Sequence, residues 1–344
     1  MKAVYVSKEG RDLKDYPVPS PQPGEILVKN IAVSSNPKDF KIPLYMAPYA
    51  AVEGNDIAGH VEQVGEGVTK FKKGDKVAAF TKMRTDDRFG AYAEYTCSPS
   101  NTAFHLGPKT SFEEAAAFPL AYITAAIGLF KRLSLPTPDA PAKDDHPAVL
   151  VWGGATTVGV YAIQLLKKAN LHVVAVAGSS QSVPLSYGAD AVIDYRGKSD
   201  AELISSITSA ANGRIRYAFD AVSENGTLEI LAEALHQLGE AGKEPTKVSY
   251  VLTASKEQEQ LYAAKQVGFE RCLCATAYGE DSDFAEHWFD RLGEWVEEGS
   301  FRSQKVTVIP GGLEGVKEGL RRLQQGEVRG EKLVYRIAET PGLA

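Results

Sequence analysis

The sequence predicts an α/β fold in two parts, a β-rich first segment followed by a doubly wound parallel sheet. Up to about residue 118, short apolar runs such as Ile26–Val33, Ile57–Val64 and Lys76–Phe80 are separated by Gly, Pro and Asp, which indicates a small barrel or sandwich. From Ala148–Trp152 onward, continuous apolar runs alternate with helical stretches. Strands that are apolar on both faces are typical of a parallel sheet covered by helices on each side.

The second segment begins with the strand Ala148–Trp152, a glycine-rich turn and a helix over Thr157–Asn170 with one apolar face. Further strands are expected at His172–Ala177, Ala191–Asp194, Ile215–Asp220, Lys247–Leu252 and Arg271–Ala277. A helix over Asp283–Glu298 is expected to close this sheet. The tail then returns to strand, helix and strand at Gln304–Ile309, Leu313–Gln325 and Lys332–Ile337. Leu135–Pro147, rich in Pro, Asp and Ala, is predicted to be a linker between the two parts.

Composition restricts the class of protein. The 344 residues suit two domains that share an interface, and 44% hydrophobic with 24% charged residues are typical of a soluble globular chain. A net charge of −6 argues against a nucleic-acid or anionic-membrane surface, because both need a positive field. No uninterrupted apolar run of about twenty residues predicts a membrane span. Met1–Gly10 lacks the pattern of a signal peptide, so a cytoplasmic location is expected.

The three cysteines, Cys97, Cys272 and Cys274, cannot form a closed disulfide framework. A C-x-C pair in an apolar stretch is a poor metal signature, and three cysteines are too few for a four-cysteine zinc lobe. We expect all three to be buried, inert thiols.

A phosphate-binding loop is predicted at Gly153-Gly154-Ala155-Thr156-Thr157-Val158-Gly159, directly after one buried strand and before a helix. Backbone N–H groups and the helix N-terminus can face a pyrophosphate there. Gly153 permits the sharp turn, and Gly159 permits close helix–strand packing. Thr156 replaces the middle glycine of the usual fingerprint, and its hydroxyl is expected to donate to phosphate. Glycine-rich turns also serve packing, but the strand–turn–helix–strand context favours a dinucleotide site.

The end of the next strand favours NADP over NAD. NAD enzymes place an acid there to bind the ribose 2′-hydroxyl, whereas this strand is followed by Gly178, Ser179 and Ser180. Hydroxyl and N–H groups can bind a 2′-phosphate that a carboxylate repels. Tyr195 is expected to cover the adenosine and Arg196 to supply positive charge. The alternative is that these residues are ordinary polar loop residues.

Short motifs over nearly the whole chain carry a resemblance to a known family. They are Asn36-Pro37-Lys38-Asp39, Gly54-Asn55-Asp56-Ile57-Ala58-Gly59, Gly74-Asp75, Gly90-Ala91-Tyr92-Ala93-Glu94-Tyr95, Pro119-Leu120-Ala121 with Thr124-Ala125, and the phosphate loop. The chain resembles the medium-chain dehydrogenase/reductases, in their quinone-reductase and enoyl-reductase branch. Val149–Gly159 and Pro310–Tyr335 are similar to the fungal trans-acting enoyl reductases of polyketide synthases.

The resemblance implies the domain organisation. A GroES-like β-barrel catalytic domain, formed by residues 1–118 and completed by 300–344, surrounds an inserted Rossmann domain of residues 119–299 that binds NADPH. The cofactor is expected in the cleft between the two domains.

The resemblance also indicates whether the site has the residues to bind a zinc ion. Zinc alcohol dehydrogenases of this superfamily carry a Cys in the segment that matches Asn36–Asp39 and a His in the motif that matches Gly54–Gly59. Here the first segment has no Cys, and Asn55 with Asp56 occupies the second place. Asparagine is a poor zinc ligand. The site therefore suits conjugate reduction without metal, in which hydride goes to the β-carbon and hydrogen-bond donors stabilise the enolate.

Lys41 and Thr124 are the expected catalytic residues by resemblance. Lys41 is expected to bind the nicotinamide ribose or phosphate, stabilise the enolate or relay a proton, and Thr124 to bind the carboxamide or ribose. A surface lysine and a helix-packing threonine are the alternatives. Further cofactor contacts are expected from Lys38, Asp39, Phe40, Leu252, Thr253, Glu331 and Lys332, although Lys38 is expected to be largely solvated. Tyr45 is a candidate acid, with a core or lid aromatic as the alternative.

Three functions follow. The first is an enoyl reductase that acts on a carrier-tethered or CoA-like polyketide intermediate, with a polyketide synthase as the expected partner. The second is a general quinone or 2-alkenal reductase. The third is a non-catalytic NADPH-binding or structural protein, against which the intact phosphate loop, Lys41 and Thr124 argue. Monomer and homodimer both remain open.

Overall fold

The computed structural model describes residues 1–7, 10–46, 48–83, 86–143 and 147–343. These residues form two compact units, the first of residues 1–123 with 275–344 and the second of residues 124–274.

The strands are β1 (Lys2–Ser7), β2 (Arg11–Asp15), β3 (Glu25–Ser34), β4 (Ala50–Val52), β5 (Asp56–Val64), β6 (Lys76–Phe80), β7 (Tyr95–Pro99), β8 (Ala103–His105), β9 (Ala148–Trp152), β10 (Val173–Ala177), β11 (Ala191–Asp194), β12 (Ile215–Asp220), β13 (Lys247–Tyr250), β14 (Gly268–Arg271), β15 (Val306–Val308) and β16 (Lys332–Arg336).

The α-helices are α1 (Lys38–Tyr45), α2 (Phe112–Ala115), α3 (Pro119–Ala126), α4 (Thr157–Lys168), α5 (Ser182–Ser186), α6 (Asp200–Ser209), α7 (Thr227–Gly242), α8 (Lys256–Ala264), α9 (Ser282–Glu298) and α10 (Val316–Gln324). α3 continues as the π-helical segment Ile127–Arg132.

The first unit is built on antiparallel strands. Its larger sheet has the order β15-β16-β3-β5-β6-β8, with β7 also paired to β3, and β2-β1-β4 form a smaller sheet. β16 is antiparallel to β3 and parallel to β15, so the C-terminal tail completes the sheet begun by the first segment. Residues two apart on β3, such as Ile26 and Val28, point into a core that also contains Tyr335 of β16. The predicted β-rich fold of this part is confirmed, and the tail contributes β15 and β16 to its larger sheet.

The second unit is a parallel sheet with the order β11-β10-β9-β12-β13-β14. All five residues of β9 and of β10 are buried, because helices cover the sheet. The strand order reverses between β9 and β12, and ligands of doubly wound sheets bind outside the carboxyl ends at such a point. The predicted doubly wound sheet is confirmed, and the predicted bounds of β9, β11 and β12 agree with the structure.

Two predicted strands differ from the structure. The strand predicted at Arg271–Ala277 lies earlier, at Gly268–Arg271, and Cys274–Tyr278 is a 3-10 helix. A short apolar run suits a buried helical turn as well as a strand. The strand predicted to reach Leu252 ends at Tyr250, because the next amide, Val251 N–H, leaves the ladder and donates to Ser223 Oγ at 3.0 Å.

α9 belongs to the first unit and not to the parallel sheet, where the sequence had placed it. Trp288 O accepts a hydrogen bond from the Tyr122 hydroxyl at 2.9 Å, and Phe289 stacks on Phe104 of the barrel. The unit boundaries lie at 123/124 and 274/275, whereas the sequence placed them at 118/119 and 299/300.

The segment predicted as a linker lies within the second unit. Ala142 N–H donates to Ala169 O at 2.9 Å, and the Asn170 side chain donates to Ala142 O at 2.9 Å. These contacts hold the described part of the segment against the end of α4. Asp144–His146 lie outside the described residues.

One helical stretch of the described chain, Phe112–Arg132, is long and apolar enough to cross a membrane by length and composition alone. Its most apolar window is 83% buried inside the protein, which accounts for this composition.

The cysteines follow the prediction in part. Cys97 and Cys272 are buried, whereas Cys274 is half-buried. Burial raises the pKa of the Cys97 thiol to about 11, and the Cys272 thiol donates to Thr124 O at 3.1 Å.

Candidate cofactor and active site

The loop between β9 and α4 has no room for side chains at its glycines. Gly153 has a φ of +78°, and a Cβ there would lie 2.6 Å from Val222 Cγ2. A Cβ on Gly154 would lie 2.7 Å from Ala175 Cβ, and one on Gly159 would lie 2.2 Å from Gly153 O. The glycines therefore let the loop pack closely against its neighbours and turn directly into α4.

Thr156 uses its hydroxyl inside the loop. Its oxygen accepts from Gly159 N–H at 3.0 Å as the N-cap of α4, and its hydrogen goes to Gly153 O at 2.8 Å. In this arrangement the one hydrogen of the hydroxyl is used within the loop, whereas the sequence suggested that it donates to phosphate. Anion binding at this loop then depends on backbone groups in the first turn of α4, such as Thr157 and Val158.

The ends of β10 and β11 meet at Gly178. A Cβ on Gly178 would lie 2.8 Å from the Tyr195 ring, so the ring packs against this backbone. Tyr195 is 46% exposed, and Ser179 beside it is also exposed. The structure thus brings Gly178, Ser179 and Tyr195 together at the carboxyl ends of β10 and β11.

Arg196 forms an ion pair with Asp194, which was not predicted from the sequence. Its Nη2 lies 2.8 Å from Asp194 Oδ2, and the Gln181 side chain donates to the same oxygen at 2.5 Å. The hydrogen bonds from Arg196 lower the pKa of Asp194 to about 2. The Arg196 side chain remains 53% exposed, so it can still reach a ligand, although its charge is balanced by Asp194.

Sequence reasoning also missed the loop after β12. Asp220 is buried and accepts from Val222 N–H and Ser223 N–H, both at 2.9 Å, and from the Thr227 hydroxyl. Burial raises the pKa of this carboxyl despite these bonds. The bonds fold the loop so that Val222 faces Gly153. The sequence indicates this loop by an Asp at the carboxyl end of β12, the strand next to the point at which the strand order reverses.

Leu252 and Thr253 follow β13, next to this loop. Ser223 Oγ accepts from Val251 N–H, which joins the two segments at the carboxyl edge of the sheet. Thr253 is exposed and Leu252 half-buried, so both can still contact a ligand as predicted.

In the first unit, the residues at the place of the zinc ligands form a closed network. Lys332 Nζ lies 2.6 Å from Asn36 Oδ1 and 3.1 Å from Asp56 Oδ2, and Asn36 Nδ2 donates to Asp56 Oδ2 at 2.7 Å. The Lys332 side chain is 4% exposed, so its ammonium group is enclosed by this network. Glu331 is engaged as well, because it accepts from the Thr307 hydroxyl at 2.7 Å.

This network does not fit a zinc ion. An ammonium group lies where a cation would bind, and both polar atoms of the Asn36 amide are used. Asn55 Nδ2 donates to Thr81 Oγ1 at 3.1 Å, and Asn55 Oδ1 is an orphaned amide oxygen among the described residues, a poor zinc ligand. Nor do three or more His, Cys, Asp or Glu side chains of the described residues form a cluster suited to a metal.

The start of α1 is held within its own unit. Lys38 Nζ lies 2.7 Å from Asp39 Oδ1 and pairs with Glu53. Burial would lower the pKa of Lys38, but the two carboxylates raise it above its ordinary value. The expectation that Lys38 is solvated was wrong, since its side chain is only 16% exposed and paired. Asp39 Oδ2 accepts from the Tyr92 hydroxyl at 2.5 Å, so this carboxylate is engaged too.

The remaining predicted residues of α1 and α3 differ in burial. Phe40 packs against the barrel core, and Lys41 follows it as a half-buried side chain. Tyr45 is 78% exposed, so it is not a core aromatic. Thr124 is buried at 5% exposure, which suits both the packing role and the binding role considered for it.

Comparisons with known proteins show the family of the chain. Residues 22–108 match the alcohol dehydrogenase GroES-like domain, and residues 157–243 match the zinc-binding dehydrogenase family. The trans-enoyl reductase fsr4 of Gibberella fujikuroi is 35% identical over 324 residues, which cover 92% of each chain. The trans-enoyl reductase eqxC of Fusarium heterosporum is 32% identical and covers 91% of each chain.

Solved structures share the fold. The quinone oxidoreductase from Coxiella burnetii has a TM-score of 0.76 at 24% identity, over 98% of this chain and 99% of that chain. A mycobacterial protein, Rv1454c, solved in complex with NADPH has a TM-score of 0.74 at 21% identity, over 98% of this chain and 99% of its own.

Proposed function

The chain belongs to the medium-chain dehydrogenase/reductases, among the relatives of the fungal trans-enoyl reductases, and we propose on this basis that it is an NADPH-dependent, zinc-independent enoyl reductase. One observation favours reduction of a C=C bond over zinc-dependent alcohol chemistry. Asn36 and Asp56, in the two segments that the resemblance aligns with zinc-ligand motifs of alcohol dehydrogenases, are hydrogen-bonded to each other and to Lys332. Reduction of an activated C=C bond needs hydrogen-bond donors and no Lewis acid, so it suits this site.

The phosphate loop supports a nicotinamide cofactor. Its glycines allow a close-packed turn in which any Cβ would clash, and the first turn of α4 can present N–H groups to an anion. When bound, the cofactor supplies a hydride to the β-carbon of the substrate. Ser179, Ser180, Tyr195 and Arg196 support a choice of NADPH over NADH.

Lys41 and Thr124 are the proposed donors to the substrate carbonyl and the nicotinamide half. A donor aimed at the oxygen on which negative charge develops stabilises the transition state more than the ground state. The substrate class is a carrier-tethered or CoA-linked enoyl thioester. The proposed partner is a polyketide synthase, as the trans-acting relatives suggest.

NADPH oxidation with crotonyl-CoA, a 2-alkenal and a quinone tests this function. We expect turnover with the thioester to exceed turnover with the other two acceptors, and NADPH to be preferred over NADH. Preferred reduction of the free alkenal or quinone would support the general reductase instead. Tight NADPH binding without oxidation by any acceptor would contradict the enzyme proposal.

Two glycine variants supply the matched control. Gly159→Ala should abolish NADPH binding, because its Cβ would lie 2.2 Å from Gly153 O. Gly293→Ala lies in α9 with its nearest neighbour at 3.5 Å, so it should leave binding and turnover unchanged.

A further inference from the structure

Asp56 collects hydrogen bonds from four separate segments of the first unit, counted over the described residues. Its Oδ2 accepts from Lys332 Nζ at 3.1 Å and Asn36 Nδ2 at 2.7 Å. Ser34 Oγ lies 3.1 Å from the same oxygen and shares its one hydrogen with Ala116 O at 2.8 Å. Its Oδ1 accepts from Leu120 N–H at 2.6 Å. The donors come from β16, from the residues before α1, from β3 and from the first turn of α3. One carboxylate therefore fixes four elements relative to each other.

Two of these donors lie at the starts of the helices that carry the proposed active-site residues. Asn36 precedes α1, and its N–H also donates to Asp39 Oδ2 at 2.8 Å, which fixes the first turn. Lys41 lies one turn further along α1. Leu120 is the second residue of α3, and Thr124 lies one turn after it. The Asp56 carboxylate caps an N–H group of α3 that has no partner within the helix.

The charge of Asp56 requires a compensating charge nearby. Asp56 is fully buried, and a buried carboxylate is costly unless it is paired and hydrogen-bonded. Lys332 supplies the cation with a side chain that is 4% exposed, and it also binds Asn36 Oδ1. Its ammonium thereby holds the Asn36 amide in the orientation in which Nδ2 donates to Asp56.

We infer that Asp56 and Lys332 are a positioning pair, which fixes the first turns of α1 and α3 and thereby the positions of Lys41 and Thr124 on these helices. The inference rests on the proposed function, since it assigns Lys41 and Thr124 to that reaction. Neither member of the pair touches substrate or cofactor in this role. A small misplacement of catalytic groups is expected to cost about 10²-fold in turnover.

Charge-removing variants separate positioning from simple stability. Lys332→Met leaves the carboxylate uncompensated and should lower both the melting temperature and kcat. The double variant Asp56→Asn/Lys332→Met removes both charges, so the melting temperature should recover while kcat stays lower by about 10²-fold and the NADPH Kd stays within a few fold. Recovery of kcat together with the melting temperature would reduce the pair to a structural role and overturn the inference.

Two further variants control for loss of stability. Val61→Ala, in the core on the same strand as Asp56, should lower the melting temperature without a comparable loss of kcat. Lys332→Arg keeps the charge and should retain most of the turnover, which also keeps the test open if Lys332→Met does not fold. A kcat loss in Val61→Ala as large as that in the double variant would count against positioning.

Hydrogen exchange gives a result that does not depend on activity. In the double variant, whose melting temperature should approach that of the unsubstituted protein, amides of residues 36–45 and 119–126 should exchange faster than in the unsubstituted protein. Unchanged exchange in both segments overturns the inference even if the protein is an active enoyl reductase. Faster exchange in a protein that shows no turnover with any acceptor would support the positioning pair while the proposed function itself failed.

Discussion

The ring of Tyr195 lies directly against Gly178, where an added Cβ would be 2.8 Å from the ring. The contact joins the carboxyl ends of two neighbouring parallel strands, β10 and β11. It leaves the aromatic ring 46% exposed and next to Ser179, in the position where an adenosine 2′-phosphate is proposed to bind.

Gly178→Ala should weaken NADPH binding by about tenfold, because the ring of Tyr195 must move away to make room for the methyl group. The effect is measured by fluorescence titration of NADPH. Gly293→Ala is the matched control, since a methyl group there meets nothing closer than 3.5 Å. Equal affinity in both variants would remove Tyr195 from the cofactor pocket.

Arg196→Met should weaken NADPH binding by about ten- to a hundredfold and leave NADH binding nearly unchanged. The substitution removes a charged donor and leaves the Asp194 carboxylate, now without its Arg196 partner, to repel the 2′-phosphate. Adding Asp194→Asn should restore part of the affinity. Both effects should shrink at high salt, because these groups are exposed. An equal loss for NADH and NADPH would contradict the 2′-phosphate assignment.

Thr156→Ala should destabilise the protein by about 1 kcal/mol, as expected for loss of an N-cap, while NADPH affinity changes little. The hydroxyl accepts from Gly159 N–H and donates to Gly153 O, so it contributes to the shape of the loop and not to the phosphate contact. Thermal unfolding and NADPH titration of the same variant separate the two quantities. Thr156→Ser keeps the cap and serves as the control. A tenfold loss of affinity at unchanged stability would show that the hydroxyl binds phosphate after all.

The parallel sheet could be predicted from sequence to the residue in places, because strands buried on both faces are continuous apolar runs between turns. β9, β11 and β12 are examples. The sheet against which α9 packs could not be predicted in this way. An amphipathic helix shows which of its faces is buried but not which sheet buries it, and here Trp288 and Phe289 pack in the first unit.

Side-chain pairing explains the rest of the differences at the candidate site. The hydroxyl of Thr156 turns inward because of the loop's geometry, which no residue type reveals. The pairing of Asp194 with Arg196 could have been predicted from the sequence, since residues two apart at the end of a strand point to the same face. The burial of Lys332 could not have been predicted, because its partners Asn36 and Asp56 lie almost three hundred residues earlier in the chain.

Native protein at about pH 8 should react with a thiol reagent first at Cys274, which is half-buried, and slowly at Cys97 and Cys272. The thiolate is the reactive species, and burial raises the pKa of Cys97 to about 11 from an ordinary value of 9.0. The unfolded chain therefore loses this proton at lower pH than the folded chain does. It follows that the contribution of Cys97 lowers the free energy of unfolding as pH rises from about 9 to about 11. Counting labelled thiols by mass spectrometry, before and after denaturation, checks the order of reactivity. The variant Cys97→Ala should show a weaker fall in stability over the same pH range, and an unchanged fall would place its origin in other groups.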